Sequence, residues 1–251
     1  MIVDCHVGID SERFPIERAL AALRAANVGG AVIFADAGAR DIEAQNRYVL
    51  RVAQSAEDLY PFYYLGGNPF TDTRPDALMI PDDIGDFAGI RWHFWAGEAI
   101  DRGGVFDQDE LQWAIGLMES AEFESMMSAA AHYDMPIMFE EPFGVTVEFA
   151  LRYPAVDIII PHLGSRSGGE ANVVRALWDQ QHVYFGTSLA PIDESVLSRV
   201  GTHRILFGSG YPEGDPEIEL EKVDRLPVPE DVKEDIFGNN LLSLLGQTVL
   251  D

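Results

Sequence analysis

Residues 156–164 read Val156-Asp157-Ile158-Ile159-Ile160-Pro161-His162-Leu163-Gly164, and this stretch decides the fold. Three consecutive isoleucines leave no polar face, so a strand built from them is buried on both sides. That is the condition of a strand in a parallel sheet covered by helices. His162 then stands at its carboxyl end. Seven further short β-branched or aromatic runs share this character, at 1–6, 31–35, 61–65, 89–94, 135–140, 183–187 and 204–209. Most are continuous apolar stretches rather than alternating ones.

The intervening segments carry helical periodicity at 16–28, 42–59, 111–133, 146–152, 171–179, 193–200 and 231–245. Segment 71–86, with Pro75, Pro81 and many turn formers, is the least helical connection. Eight βα units in 251 residues predict an α/β chain folded as one (β/α)8 barrel domain spanning 1–251. A doubly wound open sheet is the alternative, and it suits less because no glycine-rich dinucleotide fingerprint follows the first strand. No linker, low-complexity tract or repeat beyond the βα alternation interrupts the chain.

Charge narrows the partners. Seventeen Lys and Arg stand against 42 Asp and Glu, a formal net charge of −25, which repels nucleic-acid backbones and anionic membrane surfaces. Apolar residues at 47% supply far too much core for a disordered acidic chain. Lys222 and Lys233 are the two lysines, and acid excess with scarce lysine fits a protein adapted to high cytoplasmic salt, with GC-rich coding as the plain alternative. The most acidic segment, 213–235, holds ten acidic and three basic residues and reads as a solvated surface. Cys5 is the single cysteine, so neither an internal disulfide nor a cysteine cluster for zinc can form. With no basic n-region, long apolar segment or run of eighteen apolar residues, a cytoplasmic location is the expectation.

In a barrel the reacting groups lie at the carboxyl ends of the strands. His6, His93, Glu140 and His162 fall at the ends of the first, fourth, fifth and sixth runs, so they converge on one rim. His132, His182 and His203 precede strands and fall at the other rim, as structural residues. Imidazole nitrogen and carboxylate oxygen are the ligands a divalent metal takes when cysteine is lacking, which makes His6, Glu140 and His162 the candidate metal set, for zinc, manganese or iron. Of the neighbours Glu140 and Glu141 only one can face the mouth of a regular strand, and Glu140 is the choice. His93 and Glu141 are the candidate proton acceptors. Arg166, in the loop after His162, is a candidate for a substrate carboxylate. Asn68 and Arg91 are further candidates for substrate binding, Trp92 is a core residue, and Ser188 lies in a loop on the same rim.

Several segments together resemble the amidohydrolase-related family, the branch of the amidohydrolase superfamily that contains metal-dependent hydrolases and decarboxylases of carboxylated substrates. They are Asp4-Cys5-His6, Gly89-Ile90-Arg91-Trp92-His93, Pro161-His162-Leu163-Gly164, Ile205-Leu206-Phe207-Gly208-Ser209-Gly210-Tyr211-Pro212 and Ile236-Phe237-Gly238-Asn239-Asn240. The resemblance runs from the first strand to the last helix and implies a metal-dependent barrel. The family pattern in strand one is Asp-x-His-x-His, and Gly8 stands at its second histidine. Glu140 stands at the strand-five histidine. Gly210 stands at the strand-eight aspartate, which in the family binds metal and handles the proton of the attacking water.

The expected function is therefore a metal-dependent hydrolase of a small carboxylated or cyclic substrate with a reduced metal site, with non-oxidative decarboxylation as a second reaction. Two other readings stand beside it. One is a non-catalytic barrel that binds a small molecule or partner without metal. The other is metal-free acid/base catalysis by Glu140 with His93 or His162. A homo-oligomer is an open expectation, with Phe94, Trp95, Phe106 and Trp113 as aromatics for the mouth or an interface.

Overall fold

In the computed structural model, residues 1–66, 80–93, 112, 115, 116 and 118–247 are described. Eight parallel strands run in chain order: β1 (Val3–Ile9), β2 (Gly30–Ala35), β3 (Leu59–Leu65), β4 (Gly89–Trp92), β5 (Ile137–Phe139), β6 (Ile158–Ile160), β7 (Val183–Gly186) and β8 (Ile205–Leu206). The ring is joined across its ends by the Cys5 N–H donating to the Phe207 carbonyl at 2.8 Å and by a parallel bridge between Val7 and Tyr211. The molecule is a single-domain (β/α)8 barrel.

Around it lie α1 (Ile16–Ala25), α2 (Ile42–Ala53), α3 (Ala121–His132), α4 (Phe143–Arg152), α5 (Glu170–Leu177), α6 (Glu194–Val200), α7 (Pro216–Asp224), α8 (Glu230–Glu234) and α9 (Asn240–Leu244). Their starts are written in the sequence. Asp41, Asp193 and Asp215 accept from backbone N–H groups of the first turns of α2, α6 and α7, satisfying donors that would otherwise be orphaned.

The helix reading needs correction: the segment 42–59 is helical only to Ala53, and Leu59 already opens β3. The segment 111–133 is not one helix through its whole length, because Ser120 caps a new start at α3, its hydroxyl accepting from the Phe123 N–H at 3.2 Å. Helix α7 was not foreseen. Its signal was Asp215-Pro216, a cap followed by a proline already set at a helical φ, hidden within an acidic stretch that reads as plain surface.

Behind the fourth and fifth strands lies an aromatic layer. Phe139 stacks on Phe149 with ring centroids 4.0 Å apart, Trp92 stacks on Phe139 at 5.8 Å, and Phe123 meets Trp92 edge-on at 5.2 Å. Each such pair contributes about 0.5–1.5 kcal/mol beyond its buried area. Because side chains alternate along a strand, anchoring Trp92 and Phe139 toward the helices turns Arg91 and Glu140 into the barrel. The outward packing of two aromatics thereby orients the charged groups of the mouth.

Candidate active site

The four rim residues do converge, although by different backbone devices. His6 lies within β1 rather than at its end. The pairing of β1 with β2 shifts register between Asp4 and Val7, and at this irregularity the His6 N–H turns to the Asp4 carboxylate, Oδ1 accepting at 2.9 Å. The same oxygen accepts from the Ser209 N–H at 2.9 Å, which ties β1 to the chain after β8.

His162 stands two residues beyond β6 in a left-handed turn. His162, Leu163 and Gly164 have φ of 57°, 50° and 77°. For the first two this conformation is strained, at about 1–2 kcal/mol each. A side chain at Gly164 would meet Val173 at 2.6 Å, so that position requires glycine. His93 follows β4 directly, and Glu140 continues β5, its N–H donating to the Trp92 carbonyl at 3.1 Å.

All four side chains are buried. The Arg91 guanidinium donates through Nη2 to Glu140 Oε2, and His93 Nδ1 lies 3.0 Å from Arg91 Nη2 and 3.1 Å from the same Glu140 oxygen. The other carboxylate oxygen, Oε1, makes no hydrogen bond among the described residues and lies 3.7 Å from His162 Nε2. His162 Nδ1 lies 2.9 Å from the Ser188 carbonyl, which can only accept. The proton of neutral His162 is therefore on Nδ1, and Nε2 presents a lone pair toward Glu140. Ser188 Oγ, 3.1 Å from His6 Nδ1 and 3.0 Å from His162 Nδ1, couples the two imidazoles, whose rings pack 4.7 Å apart.

Burial sets the protonation states. It lowers His162 to about 4, against the raising effect of Glu140, and lowers His93 and His6 as well. The histidines are neutral at pH 7. Burial alone would raise Glu140, but His93, Arg91 and His162 outweigh it and hold the carboxyl well below its usual range. Asp4 has no such cation. Burial raises it to about 6 despite hydrogen bonds from Ser209 and His6, and its Oδ2 shows no hydrogen bond of its own among the described residues.

The remaining candidates divide. Arg91 is inside the cluster, and Trp92 is in the aromatic layer as expected. Glu141 is fully buried, and its carbonyl accepts from Thr146 Oγ1 at 2.7 Å. Arg166 is a third exposed and forms an ion pair with Glu213, yet its charge still lowers all three rim histidines. Asn68, Phe94, Trp95, Phe106 and Trp113 lie outside the described residues. His182 is far from the mouth, its Nε2 2.9 Å from the Ala150 carbonyl. Sequence reasoning missed Asp4 as the partner of the His6 backbone and Ser188 as the link between two histidines. The spacing Asp4-x-His6 was a visible sign of the first, and nothing local marked the second.

A divalent metal is implied by the resemblance, and the donor set can be tested against it. His162 Nε2 and Glu140 Oε1 face each other as two donors, and His6 packs beside them. Glu140 Oε2 is taken by a guanidinium. The strand-eight position cannot be refilled, since Gly210 has φ of 70° and a Cβ there would meet Leu189 at 2.9 Å. Gly8 is less closed, its nearest neighbours being the Tyr211 carbonyl, Asp36 Oδ2 and Pro212 at 3.4–3.5 Å. Among the described residues no group of three or more His, Cys, Asp and Glu side chains is arranged to hold a metal ion. The set does not fit the family's metal.

Comparisons with known proteins agree with the architecture. An amidohydrolase from Bifidobacterium longum subsp. infantis superposes with a TM-score of 0.62 at 18% identity, covering 98% of this chain and 99% of that one. A 2,6-dihydroxybenzoate decarboxylase from Rhizobium gives 0.63 at 13% identity, covering 98% of each chain. A probable 2-pyrone-4,6-dicarboxylic acid hydrolase from Acinetobacter baumannii, with citric acid bound, gives 0.64 at 13%, covering 98% and 99%. At these identities the likeness shows the fold alone. No curated protein matches the sequence. The amidohydrolase family model matches residues 6–246, nearly the whole chain, and the chain belongs to the amidohydrolase family.

Proposed function

We propose that the chain is a hydrolase of a small carboxylated or cyclic molecule, with Glu140 and His162 receiving the proton of the attacking water. The observation that carries this reading is the pair of acceptors Glu140 Oε1 and His162 Nε2, 3.7 Å apart, with no hydrogen-bond partner for Oε1 among the described residues. One is an anion held by Arg91 and the other a neutral imidazole whose lone pair is fixed by Ser188. Two acceptors at this spacing suit one donor that offers protons to both, which is what a nucleophilic water needs. The buried position excludes competing solvent.

Arg166 is the group for a substrate carboxylate, which would exchange with Glu213 at the mouth. The solved relatives named for 2,6-dihydroxybenzoate and 2-pyrone-4,6-dicarboxylic acid point to the same substrate class. Glu141 and His93 are positioning residues in this reading, since Glu141 is fully buried beside Glu140 in the chain and His93 is engaged with Arg91 and Glu140.

The test is a panel of small carboxylated lactones, esters and amides, assayed for hydrolysis and for CO2 release. Wild-type turnover that falls about 100-fold or more in His162→Ala and in Glu140→Ala supports the reading, that being the scale of losing a positioned base. CO2 release without hydrolysis assigns decarboxylation instead. Binding without turnover assigns the non-catalytic barrel.

A further inference from the structure

We propose that Arg91 is a built-in cation that replaces the family's divalent metal, holding Glu140 in place and closing the mouth to metal loading. The geometry carries this. Arg91 is almost fully buried, and its Nη2 holds Glu140 Oε2 and touches His93 Nδ1 at 3.0 Å. Its Nη1 donates to the Trp92 carbonyl at 3.2 Å, and its guanidinium carbon lies 5.5 Å from the centre of the Phe34 ring, which also packs against His6 at 5.0 Å. The guanidinium thus touches groups from β2, β4 and β5 directly and is linked to His6 of β1 through the Phe34 ring.

An arginine cannot give up its proton in a protein, so this positive charge is permanent. It acts on His6, His93 and His162 alike and favours their neutral forms, and it favours the ionised form of Glu140. Those are the forms that a bound divalent cation would also impose. A metal entering between Glu140 Oε1 and His162 Nε2 would share its one carboxylate with a fixed cation in a low-dielectric site, where like charges repel strongly. The loss of side chains at Gly8 and Gly210 fits the same exchange. A site that carries its cation on the chain has no use for two further metal ligands. The inference concerns charge and loading, so it holds whichever reaction the mouth performs.

The experiment measures metal content. Purified wild-type protein and the variants Arg91→Met and Arg91→Lys are stripped with chelator, incubated with zinc or manganese, desalted and analysed for bound metal, with circular dichroism to verify folding. Wild type and Arg91→Lys should retain less than about 0.1 equivalent, and Arg91→Met should retain about one. The gain should vanish again in the double variant Arg91→Met with His162→Ala. A near-stoichiometric metal in the wild type overturns the proposal, as does a folded Arg91→Met that stays empty. If Arg91→Met does not fold, the lysine variant still decides. Retention of metal by Arg91→Lys overturns the claim that charge excludes it, and exclusion by it supports the claim.

Discussion

Glu140 after β5 and Asp4 in β1 are both buried carboxylates of the same barrel, and they are held in opposite ways. Glu140 has Arg91 on one oxygen and is kept ionised. Asp4 receives two backbone N–H donors on one oxygen and is also held by the Ser209 side chain, yet burial raises it to about 6. Both are surrounded by apolar strands, so burial does not distinguish them. The difference is the set of groups around Glu140, His93, Arg91 and His162, of which Arg91 carries the permanent charge. Hydrogen bonds from Ser209 and the His6 backbone do not offset desolvation at Asp4, whereas at Glu140 the imidazoles and a fixed cation do. The half of the mouth formed by β4, β5 and β6 is consequently charged and poised, and the seam between β8 and β1 is a structural tie.

The largest test of this contrast is Glu140→Gln. It leaves the Arg91 charge buried without a counter-ion, and stability should fall by about 3–5 kcal/mol. Urea denaturation reads this as a lower midpoint at unchanged slope. A loss under about 1 kcal/mol would show that Arg91 is hydrated or paired elsewhere.

Next in size is the acid limb set by His162. Its pKa in the fold, about 4, lies below the ordinary 6.5, so the unfolded chain binds the extra proton between those values. Stability should therefore drop as pH falls from 6.5 toward 4, by about 3 kcal/mol over the full window from this residue. His6 and His93 shift in the same direction, so His162→Gln should lessen the slope without abolishing it. Turnover should likewise hold down to about pH 5 and fall near 4. A kinetic limb near the ordinary 6.5 would contradict the burial of His162.

Asp4 runs the other way. Its pKa in the fold is above the ordinary 3.8, so folding costs free energy once pH exceeds about 6, and the cost fades as pH falls to 3.8. Asp4→Asn keeps the oxygen that accepts from His6 and Ser209. It should gain about 1–2 kcal/mol at pH 8, less than the shift alone represents because the new amide must also be desolvated, and the gain should vanish near pH 4. No gain at pH 8 would mean that Asp4 is not an uncompensated charge. Smallest is Ser188→Ala, which removes the hydroxyl between His6 and His162 and should cost about 1 kcal/mol while the Ser188 carbonyl still orients His162.

The barrel was legible because its signal is redundant. Each apolar run needs cover on both faces, and Ile158, Ile159 and Ile160 alone require it. The convergence of His6, His93, Glu140 and His162 was also legible, because the fold places strand ends on one rim. What the sequence concealed is how the groups are paired. Arg91 beside His93 reads as a substrate ligand, and only the outward packing of Trp92 on Phe139 shows that it is turned onto Glu140. Gly210 reads as a lost side chain, whereas its left-handed backbone against Leu189 shows a position that no side chain can re-enter. Helix α7 was lost to its acidity. Pairings between residues distant in sequence leave no local pattern, and those pairings fix the chemistry of the mouth.

The most direct test of the account is a carbon-13 NMR titration of the side-chain carboxyls of Glu140 and Asp4, each assigned by its Gln or Asn variant. The account predicts that Glu140 stays ionised well below its ordinary 4.5 while Asp4 titrates near 6. A Glu140 midpoint at or above 4.5 would contradict the claim that Arg91 holds that carboxylate as the anion of the site.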